Sequence, residues 1–204
     1  LVFSDYARNA ARMAALIAMN NEFESNRLVD RLLDPSSGTD PAVLLAAADV
    51  AYRARQNANV SRLLDRAAQL DPGNTDVQLR RASLAFDDRK FADAEGILRP
   101  LAIGGSPNLA AQVALARVVE AQGDLVQARA ILGSAVAGNP GVAEPGLRLA
   151  AMELRANQPA AAAEVMNRMI NSARDGEAAN AAGMMLADEN RFDEARTRFR
   201  QAVD

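Results

Sequence analysis

The side chains that most often do chemistry at neutral pH are missing from this chain. It has no His and no Cys. Imidazole acid–base catalysis, thiolate nucleophiles, disulfides and thiolate or imidazole metal sites are therefore all excluded. Three kinds of reactive pattern remain. Adjacent carboxylates occur at Asp87-Asp88 and Asp188-Glu189, but acid–base work needs carboxyl groups desolvated and set across a cleft. Each pair falls near the end of a helical stretch, beside a turn, where acids are normally solvated. The Gly-rich "IGGSP" at 103–107 lacks the Lys and the spacing of a phosphate loop. "DPGNTD" at 71–76 offers oxygens without the spacing or terminal Glu of a calcium loop. No Ser sits in a nucleophile-elbow pattern. The chain reads as a non-enzyme, with no catalytic, cofactor-binding or metal-binding residues.

What remains is recognition. The formal net charge is −3, which lacks the basic field of a nucleic-acid surface. The longest apolar run, "MAALIAM" at 13–19, is far shorter than the roughly 20 residues of a membrane-spanning helix. Cys absence fits an oxidising periplasm somewhat better than a cytosol, and the compartment is otherwise open. The chain starts at Leu1 and reads as a piece of something longer. Half its residues are apolar and only 4% aromatic, a composition that suits closely spaced helices built on Ala.

The positioning elements announce themselves by period. "EAQGDLVQARAILGSAVAGNPG" at 120–141 carries a Gly five residues before Ala128 and a Pro twelve after it. Ala128 has counterparts at Val60, Ala94, Ala162 and Ala195, in steps of 34, 34, 34 and 33. Twelve residues before each lies a second small position: Ala48, Ala82, Ala116, Ala150 and Gly183. Small residues are needed where two antiparallel helices cross closely. Gly123, Asn157 and Asn190 can adopt the left-handed conformation that ends a first helix. Asp124 can cap the second, and Pro159 fits the first turn of its counterpart. Pro72, Pro107 and Pro140 stop the second helix and turn the chain into the next unit. Pro100, inside a second helix, should kink or shorten it and leave "AIGGSP" as a longer connection.

This pattern resembles the tetratricopeptide repeat, a 34-residue helix–turn–helix unit. Five units match at 41–74, 75–108, 109–142, 143–175 and 176–204. Residues 1–40 resemble a sixth, degenerate one, with "NEFESNRLVDRLLDP" similar to "NRFDEARTRFRQAVD". The family's early Trp is absent, and Val60 replaces a small Ala. The resemblance implies an all-α fold, a right-handed α–α superhelix forming one domain over 1–204, with about five repeats after the degenerate one. A further repeat or a cap is expected beyond Asp204, because Phe199 and Val203 would otherwise face no neighbour.

The resemblance also implies a concave surface lined by first helices, suited to an extended peptide or a helix of a protein partner. On that alignment Asp49, Tyr52 and Arg53 face the concavity, followed by Arg80, Ser83 and Phe86. Arg117 and Glu120 come next, then Arg148, Arg155 and Met184, with Val113, Leu147 and Asn180 in the same surface. Tyr52 and Phe86 are the candidate anchors, and burial between units is their alternative role. Arg80, Arg117 and Arg148 could form a ladder for carboxylates or simply a solvated face that Asp49, Asp87 and Glu120 nearly balance. The composition is similar in style to helical-repeat parts of bacterial envelope machines such as exopolysaccharide or cellulose export. Direct binding of an acidic polysaccharide through the Arg-bearing groove and self-association of the solenoid are the alternatives.

Overall fold

The computed structural model describes residues 8, 9, 11–16, 21–173 and 176–203. The described residues contain helices and turns and no strand. Residues 1–7, 10 and 17–20 lie outside them, so the degenerate repeat expected over 1–40 is described only in part. Within it stand α1 (Glu22–Leu33) and a short 3-10 turn, Pro35–Ser37. At that turn Asp34 accepts from the Ser36 hydroxyl at 2.7 Å and the Ser36 N–H at 2.8 Å. These two bonds, the hydroxyl first, hold its carboxyl below the usual range.

The chain then alternates first and second helices. The first helices are α2 (Pro41–Arg53), α4 (Thr75–Asp87), α6 (Leu109–Ala121), α8 (Ala143–Arg155) and α10 (Glu177–Asp188), each starting 34 residues after the one before. The second helices are α3 (Asn57–Leu70), α5 (Phe91–Ala102), α7 (Leu125–Gly138), α9 (Pro159–Ser172) and α11 (Phe192–Gln201). The α5 helix carries Pro100 and has 12 residues where α3, α7 and α9 each have 14. It is thus two residues shorter, and an exposed loop follows it, as a missing N–H predicts.

Every turn from first to second helix closes in the same way. One residue takes positive φ: Arg55 (58°), Arg89 (60°), Gly123 (93°), Asn157 (58°) and Asn190 (60°). At each, two bonds return to the helix just ended. In the first turn Arg55 N–H donates to the Tyr52 carbonyl at 2.9 Å and Gln56 N–H to the Ala51 carbonyl at 3.0 Å. Arg89/Lys90, Gly123/Asp124, Asn157/Gln158 and Asn190/Arg191 repeat this pair of bonds. The pattern is the Schellman motif, which satisfies carbonyls that a helix end leaves open. Arg55 and Arg89 are departures from expectation. Their side chains give no sign of a left-handed residue, and the motif imposes it.

First helices are capped at their starts in the early repeats. Asp40, Asn74 and Asn108, again 34 apart, accept from the N–H of Ala42, Val77 and Ala111. Val142 and Gly176, at the same register, cannot. Asp124 caps α7 by accepting from the Gln127 N–H at 2.9 Å, and Pro159 opens α9.

The small positions are buried without exception. Ala48 and Val60, Ala82 and Ala94, Ala116 and Ala128, and Ala150 and Ala162 are all at most 2% exposed. The last pair is Gly183 with Ala195. A Cβ on Gly183 would come within 2.6 Å of the Phe199 ring, so the larger side chain of α11 takes the room that Ala leaves elsewhere.

The chain divides into two compact units, residues 1–98 and 99–204, with the boundary inside α5. In the first, Leu28, Val29, Leu44, Leu63, Leu64 and Val77 form a branched aliphatic core around Ala47, Ala51 and Ala67. In the second, Leu115, Val119 and Leu132 are buried in α6 and α7. Farther along, Met166, Met169 and Leu186 pack with Ala150, Ala162, Ala178 and Ala182. Burying such a side chain contributes roughly 1.5–3 kcal/mol each.

Candidate interaction surface

In the first unit the predicted residues of α2 and α4 meet side by side. The Arg80 guanidinium grips Asp49 at two points, Nε to Oδ1 at 2.9 Å and Nη2 to Oδ2 at 3.2 Å. Tyr52 donates its hydroxyl to Asp87 Oδ2 at 2.5 Å. Ser83 donates to the Leu79 carbonyl one turn back at 3.0 Å. Asp49, Tyr52, Arg80 and Ser83 rim a cavity of about 80 Å³ floored by Ala48 and Val60. That volume admits two or three waters at about 30 Å³ each, not a ligand. Arg53 is exposed and has no ion-pair partner among the described residues. Phe86 is half-buried, its ring 5.5 Å from that of Phe91 at 57°, so it is engaged at the α4–α5 turn. Tyr52 stays 42% exposed and is the more accessible of the two aromatic candidates.

In the second unit Glu120 and Arg155, from α6 and α8, pair at 2.7 Å. Arg148 reaches Glu144 on its own helix at 3.3 Å. Arg117 is exposed on α6. Met184 is 57% exposed, with the Asn180 amide 3.9 Å from its sulfur. Val113 is only 5% exposed and belongs to the interior rather than to a binding face. A first helix with neighbours on several sides has less free surface than a helical wheel suggests.

The first-helix polar residues therefore answer one another across successive repeats: Asp49 with Arg80, Tyr52 with Asp87, Glu120 with Arg155. The separations are 31, 35 and 35 residues. The sequence signal is opposite chemistry about one period apart. Exposed pairs of this kind contribute about 0.2–1 kcal/mol and hold the register of neighbouring first helices.

A different pair went unseen in the sequence. Glu153 of α8 is buried at 8% exposure, and its Oε1 lies 3.3 Å from Arg129 Nε of α7. Arg129 Nε and Glu153 Oε2 have no hydrogen-bond partner among the described residues, so charge attraction alone offsets their desolvation.

The carboxylate pairs are as solvated as expected. Asp87 holds Tyr52, Asp88 lies 3.2 Å from Lys90 Nζ, and Asp188 and Glu189 are exposed at the end of α10. No group of acids able to hold a metal occurs among the described residues. None of the described helices is long and apolar enough to cross a membrane.

Comparison with known proteins agrees with this architecture. Residues 119–184 match the family model for the tetratricopeptide repeat. No curated protein matches the chain. Among solved structures, PilF of Pseudomonas aeruginosa superposes with a TM-score of 0.63 at 12% identity, covering 97% of this chain and 90% of that one. A thermophilic TPR protein of Thermus thermophilus gives 0.59 at 17%, covering 80% and 90%. YrrB, described as a TPR protein with an unusual peptide-binding site, gives 0.51 at 15%, covering 81% and 86%. Residues 119–184 are thus similar to tetratricopeptide repeats, and the chain shares the all-α helical-repeat fold of these solved structures.

Proposed function

We propose that the protein is a non-enzymatic scaffold whose first-helix surface binds a protein partner, as an extended peptide or a helix, within a larger assembly. The observation that carries this reading is the common register of the first helices. Five of them start 34 residues apart and repeat one helical frame carrying varied polar, charged and aromatic side chains, a layout suited to an extended ligand and not to a reaction centre. In the first unit Tyr52, Arg53, Arg80 and Ser83 are its exposed members, with Asp49 and Phe86 more covered; in the second Arg117, Arg155 and Met184 are exposed, with Glu120 and Arg148 more covered. The reading treats 1–204 as one run of repeats with the boundaries given above. The peptide-binding site named for YrrB supports a peptide as ligand. The Ala-rich style and the lack of Cys support an envelope assembly, such as exopolysaccharide or cellulose export, as the setting.

The test is site-specific photocrosslinking in the native host. A photoreactive residue at Tyr52 or Met184, on first helices, should capture a discrete partner. The same residue at Val126, 78% exposed on the second helix α7, should not. Equal capture from Val126, or capture from Val126 alone, contradicts the reading.

A further inference from the structure

A polar cavity of the first unit lies away from the first-helix surface. It measures about 870 Å³ and opens where the start of α3 meets α1. Small-molecule sites typically occupy about 300–1,000 Å³. Among the described residues it is lined by Ala54 and Ala58 and by side chains ending in amide, guanidinium and carboxylate groups.

The amides are not equally free at both ends. Asn21 Oδ1 accepts from the Glu24 N–H at 3.1 Å, and Asn26 Oδ1 accepts from Asn59 Nδ2 at 2.7 Å. Gln56 Oε1 accepts from the Ser25 hydroxyl and from Asn59 Nδ2, both at 3.2 Å. Asn59 is 6% and Ser25 0% exposed, so this network is built into the fold. With their carbonyl oxygens occupied, Asn21, Asn26 and Gln56 have NH₂ groups left to donate. Two arginines add to them. Arg55 is exposed with no partner among the described residues, and Arg62 has one arm on Asp30 at 2.6 Å. With Arg55 and Arg62 against Asp30, the described lining residues carry one positive charge in excess and a surplus of donors.

We propose that this cavity binds a compact polyhydroxylated carboxylate of the uronic-acid type. The guanidinium of Arg55 suits the carboxylate, with which it can make two parallel bonds. Hydroxyls both donate and accept, so they can use the amide NH₂ groups together with the carboxylate of Asp30. Among the described residues no aromatic or large aliphatic side chain lines the cavity to receive an apolar residue, which favours a polar ligand over a peptide. This inference is independent of the first-helix surface.

The test is calorimetric titration of the protein with D-glucuronate, with D-glucose and a tetra-aspartate peptide as comparison ligands. Glucuronate should bind saturably at one site, and glucose at least tenfold more weakly. Arg55→Gln should weaken glucuronate at least tenfold with an unchanged melting temperature. Asn57→Asp, which sets a like charge beside the ligand, should do the same. No saturable binding, equal affinity for glucose, tighter binding of the peptide, or unchanged affinity in both variants would overturn the assignment.

Discussion

The early and late repeats punctuate the same fold with opposite residue choices. In the early ones the first helices begin on good caps, Asp40 and Asn74, but end on Arg55 and Arg89 held at positive φ. In the late ones the starts at Val142 and Gly176 lack a capping side chain, while the ends fall on Asn157 and Asn190, residues that tolerate the left-handed region. The repeat from Asn108 to Gly123 has both. Backbone geometry is therefore a property of the register, imposed by neighbouring packing and by the paired Schellman bonds. The residue at each register position tunes only what that geometry costs. The family match, residues 119–184, covers the Asn157 turn and the end of the Gly123 repeat, where turn chemistry is most conventional.

The joint between one repeat's second helix and the next repeat's first helix provides the sharpest contrast. Both units bridge it with a 3.3 Å ion pair. Arg81–Asp65 in the first unit is largely exposed, with Asp65 at 54%. Arg129–Glu153 in the second is sequestered, with the Glu153 side chain at 11%. Arg129→Met should cost about 2 kcal/mol or more in denaturant unfolding, because it strands a buried carboxylate. It should cost less than the about 3–5 kcal/mol of a fully buried pair, since Arg129 keeps some water. Asp65→Asn should fall within about 0.5 kcal/mol. Equal costs would mean that burial does not separate the two joints.

Turn residues should respond with opposite signs. A left-handed non-Gly residue costs roughly 1–2 kcal/mol, and Gly gives back roughly 0.5–1 through its unfolded-state entropy. Arg89→Gly should thus stabilise by about 0.5 kcal/mol, while Gly123→Ala should destabilise by about 1. Loss of stability in Arg89→Gly would show that the Arg side chain contributes more than its backbone costs.

The smallest effect is expected at the missing cap. Val142 already has extended backbone, φ −97° and ψ 120°, the conformation in which Asp40, Asn74 and Asn108 act. Val142→Asp should stabilise by about 0.5 kcal/mol, toward the low end of capping effects because the position is exposed to competing water. A neutral result by thermal unfolding would mean that the late repeats satisfy their helix starts in another way.

Most of the fold was readable because its constraints are steric. A tight crossing filled almost throughout by Ala, or Gly183 beneath Phe199, leaves a mark in residue type that no polar surface leaves. Arg55 and Arg89 escaped because Arg carries no such mark. The interaction surface was less readable. Tyr52 and Asp87 were both visible, yet their bond depends on how far α4 is displaced from α2, which a period of 34 gives only to within a turn. Val113 looked exposed because helical spacing does not say how many neighbours a first helix has. The Arg129–Glu153 pair was invisible for the same reason, as each residue alone resembles a solvated charge. The cavity around Gln56 and Asn59 lies off the repeat pattern, and nothing in "QNAN" distinguishes a lining from a polar turn.

The central claim is that position in the repeat fixes the left-handed turn whatever residue occupies it. Backbone NMR of the folded protein, through the φ-dependent couplings of the five turn residues, tests it directly. The account predicts φ near +60° at Arg55 and Arg89, as at Asn157 and Asn190. A negative φ at either arginine, with the asparagines still left-handed, would contradict it.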